Sequence, residues 1–191
     1  PEGLQWETTS LLTTGRINVV NYVSTPSFDP AAGGYVGGQS VTITSDSGST
    51  IYYTVDGSAP TTSSLSGPSP ITGITVPTDS VVTIRAFASK EGQVDSPEAT
   101  AVYHTVTTAK WNVDADGNWS DTSMWLNEVS PNMIGAPVEF TLPQSGDTFV
   151  TLDGNRTVGN LTFGNTAGFG WNLYTFTDSI LTLATSSGTP V

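Results

Sequence analysis

The chain has 191 residues, no cysteine, and 17 acidic residues against five basic ones, for a formal charge of −12. That length suits one large or two small domains, and the missing thiols exclude a disulfide framework, thiolate metal sites and cysteine catalysis. The acidic balance repels phosphate backbones and anionic lipid, so no nucleic acid partner is expected. No apolar run approaches the roughly 20 residues of a membrane helix, so no membrane insertion is expected. Pro1–Ser10 does not read as a signal peptide, so a secreted form of this chain would be a mature product or an excised segment.

Threonine, serine, valine and glycine dominate, and no long window carries apolar residues at helical spacing, so the expected class is all-β with almost no helix. In chain order, Gly3 to Thr8 and Leu11 to Val20 read as two strand-like pieces around Gly15, a pair that is marginal alone and suits edge strands packed on a neighbour. Val41-Thr42-Ile43-Thr44 alternates apolar and polar side chains, as a half-buried strand does. Ile51-Tyr52-Tyr53-Thr54-Val55 then runs into Asp56-Gly57, the dipeptide suited to two consecutive positive φ angles, and leaves through Pro60 and Thr61. Val81 to Ala88 alternates again, and Val102-Tyr103 is a further strand. Beyond about residue 108, Trp111, Trp119 and Trp125 surround an Asp/Asn/Gly turn, and short apolar runs at 137–140, 150–153, 156–165, 173–183 are separated by Gly and Asn.

Several of these motifs stand in the order of a known module. Pro26-Ser27-Phe28-Asp29-Pro30 with Gly33-Gly34-Tyr35, then Gln39 to Ile43, Ile51 to Thr61, Val82 to Ala88 with Lys90-Glu91-Gly92, and Val102-Tyr103 together resemble the immunoglobulin-like, or fibronectin-III-like, module at the C-terminus of chitobiases and β-hexosaminidases, over about 26–105. The departure is Ser64-Leu65-Ser66-Gly67, which lacks the tyrosine that the family often carries after its Pro-Thr turn. The resemblance implies a sandwich of some seven short strands. Residues 1–22 resemble the closing strands, and Trp111 to Trp125 the opening, of bacterial autotransporter-associated β-strand repeats, which implies rungs stacked as a solenoid or an elongated sandwich. The expected division is a β tail at 1–22, an immunoglobulin-like sandwich at 23–107 and a β-repeat domain at 108–191.

Candidate chemistry is sparse. His104 is the only histidine and reads as a strand residue rather than a general base; Glu91, Glu98, Glu128 and Glu139 are scattered, and no Gly-x-Ser-x-Gly elbow exposes a serine. No enzyme is expected. Asp114, Asp116, Asn118 and Asp121 carry alternating oxygens before a glycine turn and are the calcium ligands if the turn binds calcium, but the twelfth loop position is Trp125 rather than glutamate, which favours a local turn. No cofactor is required on this reading. Tyr52 and Tyr53, adjacent in a strand, face opposite sides, so one points to the core and one outward. Trp119 and Trp125 are core plugs or a sugar-stacking platform; with the tyrosines they are the candidate carbohydrate-binding residues. Asn118, Asn155 and Asn160 head glycosylation sequons. The expected function is a secreted or cell-surface structural or adhesive protein of a bacterial fibre, whose partners are copies of itself, neighbouring β domains or polysaccharide; the alternative is a carbohydrate-binding accessory region of a larger glycoside hydrolase.

Overall fold

The computed structural model describes residues 4–7, 18–164, 170–175, 178–184. Most of the strand-like piece expected between Leu11 and Val20 lies outside them. The chain is all-β, and among the described residues the strands are β1 (Leu4–Glu7), β2 (Asn18–Asn21), β3 (Ser27–Asp29), β4 (Gly33–Val36), β5 (Gln39–Thr44), β6 (Thr50–Thr54), β7 (Leu65–Pro68), β8 (Ile71–Val76), β9 (Val81–Ser89), β10 (Ala99–Val106), β11 (Ala109–Lys110), β12 (Gly117–Asn118), β13 (Pro137–Phe140), β14 (Thr148–Leu152), β15 (Arg156–Val158), β16 (Asn160–Phe163), β17 (Trp171–Thr175) and β18 (Leu181–Leu183). Helical turns among these residues are two short 3-10 segments, Thr122–Met124 and Leu126–Glu128.

Two compact units divide the chain. The first comprises residues 1–33, 40–75, 82–102, and the second residues 34–39, 76–81, 103–191. These bounds cut across the domain limits read from the sequence, because Gly34–Gln39 and Val76–Val81 group with the second unit.

In the first unit, β1 and β2 form an antiparallel pair with Leu4 opposite Asn21. The sandwich has β3-β5-β8 as one sheet, while β9, β6 and β7 lie side by side in the other. Its core is Val23, Val41, Ile43, Ile51, Ile74, Ile84, Ala86, Ala88 and Ala101. Register explains the alanines: Ile51 pairs with Ala88 and Tyr53 with Ala86, so large side chains of β6 meet small ones of β9 on the inner face. On the outer face Tyr52 pairs with Phe87, and the rings stack at 5.1 Å and 17°.

The second unit is built from parallel ladders. β11-β13-β16 and β12-β14-β17 are three-stranded parallel sheets, and β15-β18 is a parallel pair. Chain order runs β13, β14, β15 and then β16, β17, β18, so each of the latter three lies on the strand three places before it. The backbone therefore coils, and successive coils stack. Pro137 faces Asn160 and Thr148 faces Trp171, an offset of 23 residues in both ladders. Parallel strands buried on one side need apolar residues at alternate positions, and Val138, Phe140, Val150, Leu152 and Val158 supply them, all at most 1 % exposed.

The first coil is filled differently. Trp111, Trp119 and Trp125 gather on Phe140, with Trp119 and Trp125 centroids 5.0 Å apart and Trp111 edge-on to Trp125 at 5.3 Å. Two of the three buried indole N–H groups are paired, whereas Trp111 Nε1 has no hydrogen-bond partner among the described residues. Trp119 Nε1 donates to the Pro131 carbonyl at 2.8 Å, and Trp125 Nε1 donates to the Trp119 carbonyl at 2.9 Å. These three tryptophans seal the interior at the β11/β12 end.

Candidate functional site

The segment Ile51 to Thr61 is a turn held from several sides. Asp56 Oδ1 accepts from the Ser58 amide at 3.0 Å and its hydroxyl at 2.6 Å, and these bonds hold the Asp56 carboxyl below its ordinary value. Gly57, at φ 79°, donates its amide to the Thr83 carbonyl and accepts from Arg85 Nη1, whose Nε donates to Glu98 at 2.6 Å. Of the two positive φ angles expected at Asp56-Gly57, only that of Gly57 occurs. The reason is that the turn is not a two-residue hairpin: the next strand on β6 begins only at Leu65. Its polar groups are spent on backbone geometry.

Tyr52 and Tyr53 do face opposite sides, but both are half-buried. Tyr52 lies on Phe87, and Tyr53 lines a shallow recess of about 220 Å³ with Val55, Asp56 and Leu65. Trp119 and Trp125 are 0 % and 2 % exposed. A ring sealed in this way offers no face to a sugar, so of the two roles weighed for them they take the core one.

The acidic turn has a specific structural task. Asp114 accepts from the Ser145 amide at 3.0 Å, and Asp116 Oδ1 accepts from the Phe149 amide at 2.8 Å. Asp121 caps its own 3-10 turn through the Ser123 amide at 3.0 Å. The same device recurs down the stack: Asn132 takes the Thr157 amide, Asp147 the Gly170 amide, and Asn155 the Ile180 amide. Corner amides of a coil are not all matched by the ladders, and a short Asp or Asn side chain from the preceding coil accepts from them. Asp114, Asp116 and Asp121 thus point at three different backbone sites. Among the described residues no group of three or more His, Asp or Glu side chains is disposed to hold a metal ion.

Asp153 shows the same logic between coils. Partial burial works against its charge, but the Ser120 hydroxyl and amide and the nearby Arg156 outweigh this and hold its carboxyl below the ordinary value. Asp79 is held low by the Thr107 hydroxyl and amide, both at 2.7 Å.

Asn118, Asn155 and Asn160 are all exposed. Asn118 and Asn160 are committed by their backbones to ladders, opposite Thr151 and Pro137, and the Asn155 side chain is engaged with Ile180. His104 Nδ1 stands 3.8 Å from Glu128 Oε2 and has no hydrogen-bond partner among the described residues.

Two apolar surfaces are exposed in the second unit. One is the outer coil. Val138, Val150, Val158 and Phe140 are sealed, whereas the residues paired to them one coil later, Leu161, Leu173 and Leu183, are half-buried and Phe163 is 51 % exposed. The other is an outward aromatic pair, Phe149 and Tyr174, which the sequence reading passed over. Their signal was their place in an alternating strand, opposite in phase to Val150 and Leu173.

Residues 30–101 match the family model of the chitobiase/beta-hexosaminidase C-terminal domain, so the β-sandwich over that stretch is similar to that domain. No curated protein and no solved structure gives a match to the chain.

Proposed function

We propose, from a chain that joins one such sandwich module to a stack of parallel coils, a non-enzymatic extracellular protein of a bacterial surface fibre with a structural or adhesive role. The module acts as a spacer, and the coiled unit joins copies of the protein, or neighbouring β domains, by strand pairing. The observation that supports this reading is the loss of burial from the second coil to the third, summarised by Phe140 at 1 % and its stacked neighbour Phe163 at 51 % exposure. Apolar surface left open in this way gains about 25 cal/mol per Å² on being covered. A strand with an unpaired edge supplies the hydrogen bonds that fix how it is covered. The threonine- and serine-rich, lysine-poor composition suits an extracellular setting.

Negative-stain microscopy over a range of concentrations tests the reading. Linear assemblies that lengthen with concentration are expected, and isolated globular monomers throughout would overturn it.

The family match favours a second reading, an accessory region of a larger glycoside hydrolase that holds polysaccharide near a catalytic domain. Retention of the isolated chain on chitin, lost in Tyr52→Ala or Tyr53→Ala with the fold intact, would favour that reading over the fibre.

A further inference from the structure

The outward face of the sheet β12-β14-β17 carries a second kind of surface. Along β14 the side chains alternate, with Thr148, Val150 and Leu152 buried and Phe149 and Thr151 turned away from the core. In β17 the outward residues in register with these are Asn172, opposite Phe149, and Tyr174, opposite Thr151. Asn118 of β12 continues the row on the other side of Thr151. Phe149 is 36 % and Tyr174 54 % exposed, and their ring centroids stand 5.4 Å apart at 42°. The two rings, with Thr151 and Thr175, line an open cleft of about 250 Å³.

We infer that this cleft is a carbohydrate-binding site, whose ligand is a pyranose unit of a neutral polysaccharide. The chemistry of the lining selects that class. A pyranose has an apolar C–H face, which stacks on an electron-rich ring, and an edge of hydroxyls, which need donors and acceptors at once. Phe149 and Tyr174 pack against each other at an angle and leave ring surface toward solvent, so a sugar laid over the pair meets one ring on its face. Thr151 provides a hydroxyl in the cleft, and Asn118 and Asn172, beside it on the same outward face, provide carboxamides, groups that both donate and accept. None of these lining residues is basic, and the chain's net charge is −12, so a sulfated or uronate polymer is repelled. Asp116, whose carboxylate already holds the Phe149 amide, fixes the backbone of that ring from the coil before.

The aromatic pair is formed across two stacked coils, so the site exists only when β14 and β17 are paired. It faces sideways from the ladder and does not use the open inner surface of the third coil. Carbohydrate binding is therefore independent of whether the protein assembles into fibres.

The test is retention on insoluble cellulose, chitin and xylan, and affinity electrophoresis in soluble mixed-linkage β-glucan, galactomannan and alginate, using the intact chain. At least one neutral polymer is expected to retain the protein and alginate is not. Tyr174→Ala and, separately, Phe149→Ser are each expected to weaken retention by about tenfold or more, the scale of losing one stacked ring. Tyr174→Phe keeps the ring and is expected to retain most of the binding, while Val81→Ser, at an exposed apolar position outside the cleft, leaves it unchanged. Far-ultraviolet circular dichroism and tryptophan emission report whether each variant is folded, and Phe149→Ser stands in if Tyr174→Ala is not. Failure of the wild-type chain to bind any neutral polymer would overturn the assignment. So would undiminished retention in the folded variants, or binding of alginate alone.

Discussion

Gly159 sits at the corner between β15 and β16, where one coil steps up to the next, and replacing it with alanine probes the stacking itself. An added Cβ would lie 2.6 Å from the Gly135 carbonyl carbon and oxygen and 2.8 Å from its Cα. Ordinary contact begins near 3.4 Å, so one corner must retreat from the other by about 0.8 Å. The obstacle is backbone, which cannot turn aside as a side chain can. The Gly159 amide also donates to the Ala136 carbonyl at 2.7 Å, and the same retreat takes that bond to the edge of hydrogen-bonding range. Overpacking costs about 1–3 kcal/mol and the weakened bond about 0.5–1.5 kcal/mol, while restricting the unfolded chain returns about 0.4–1 kcal/mol. The net expectation is a destabilisation of about 0.5–4 kcal/mol. Urea unfolding followed by tryptophan emission reads it, because Trp111, Trp119, Trp125 and Trp171 all belong to the coiled unit. Gly146→Ala, where the new methyl meets nothing within 4 Å, is the matched control and is expected to stay within about 0.5 kcal/mol of wild type. If Gly159→Ala unfolds at the same urea concentration as wild type, the coils do not approach as described.

Further perturbations separate the roles of individual side chains. Asp116→Ala removes the acceptor from the Phe149 amide and is expected to cost about 0.5–1.5 kcal/mol, whereas Asp116→Asn keeps an acceptor and costs less; if adding calcium raises the wild-type melting temperature and Asp116→Asn abolishes that rise, the corner role is wrong. Trp119→Ala opens the end of the core and leaves the Pro131 carbonyl without its donor, for a loss of about 3–5 kcal/mol by chemical denaturation, and Trp119→Phe loses less. The carboxyls of Asp46, Asp56, Asp79 and Asp153 are held below 3.8, their ordinary value, mainly by hydroxyl and amide donors of Ser24, Ser58, Thr107 and Ser120, with burial of Asp153 acting against this. A depressed folded-state value contributes stability above pH 3.8 that disappears as pH falls through the lowered values, so thermal stability should drop below about pH 4, and less steeply in Asp153→Asn. An acid limb unchanged by that substitution would contradict the assignment for Asp153.

The sandwich was largely legible, because local signals mark its strands. Alternation in Val81 to Ala88 and the stop at Asp56-Gly57 both place elements, and the order of motifs matches the family stretch at 30–101. The second positive φ angle expected at Asp56-Gly57 does not occur, and the partners that anchor the turn, Thr83 and Arg85, are distant in sequence. In the coiled unit the run from Arg156 to Phe163 looks continuous but turns a corner at Gly159 into strands on two ladders, a step visible only through the pairing of Val158 with Leu183 and Leu161 with Val138. Asp114 and Asp116 were recognisable as turn residues, yet the amides they hold belong to Ser145 and Phe149 on the next coil. Alternation shows that Phe149 and Val150 face opposite ways, but only the coil interior decides which of them is buried.

Sedimentation velocity of the purified chain across a wide concentration range bears most directly on the assembly reading. The open inner face of the third coil predicts a shift from monomer to a ladder of larger species as concentration rises, suppressed by Leu173→Lys, which places a charge on that half-buried face. A single monomeric boundary at every concentration, with Leu173→Lys sedimenting like wild type, would contradict it.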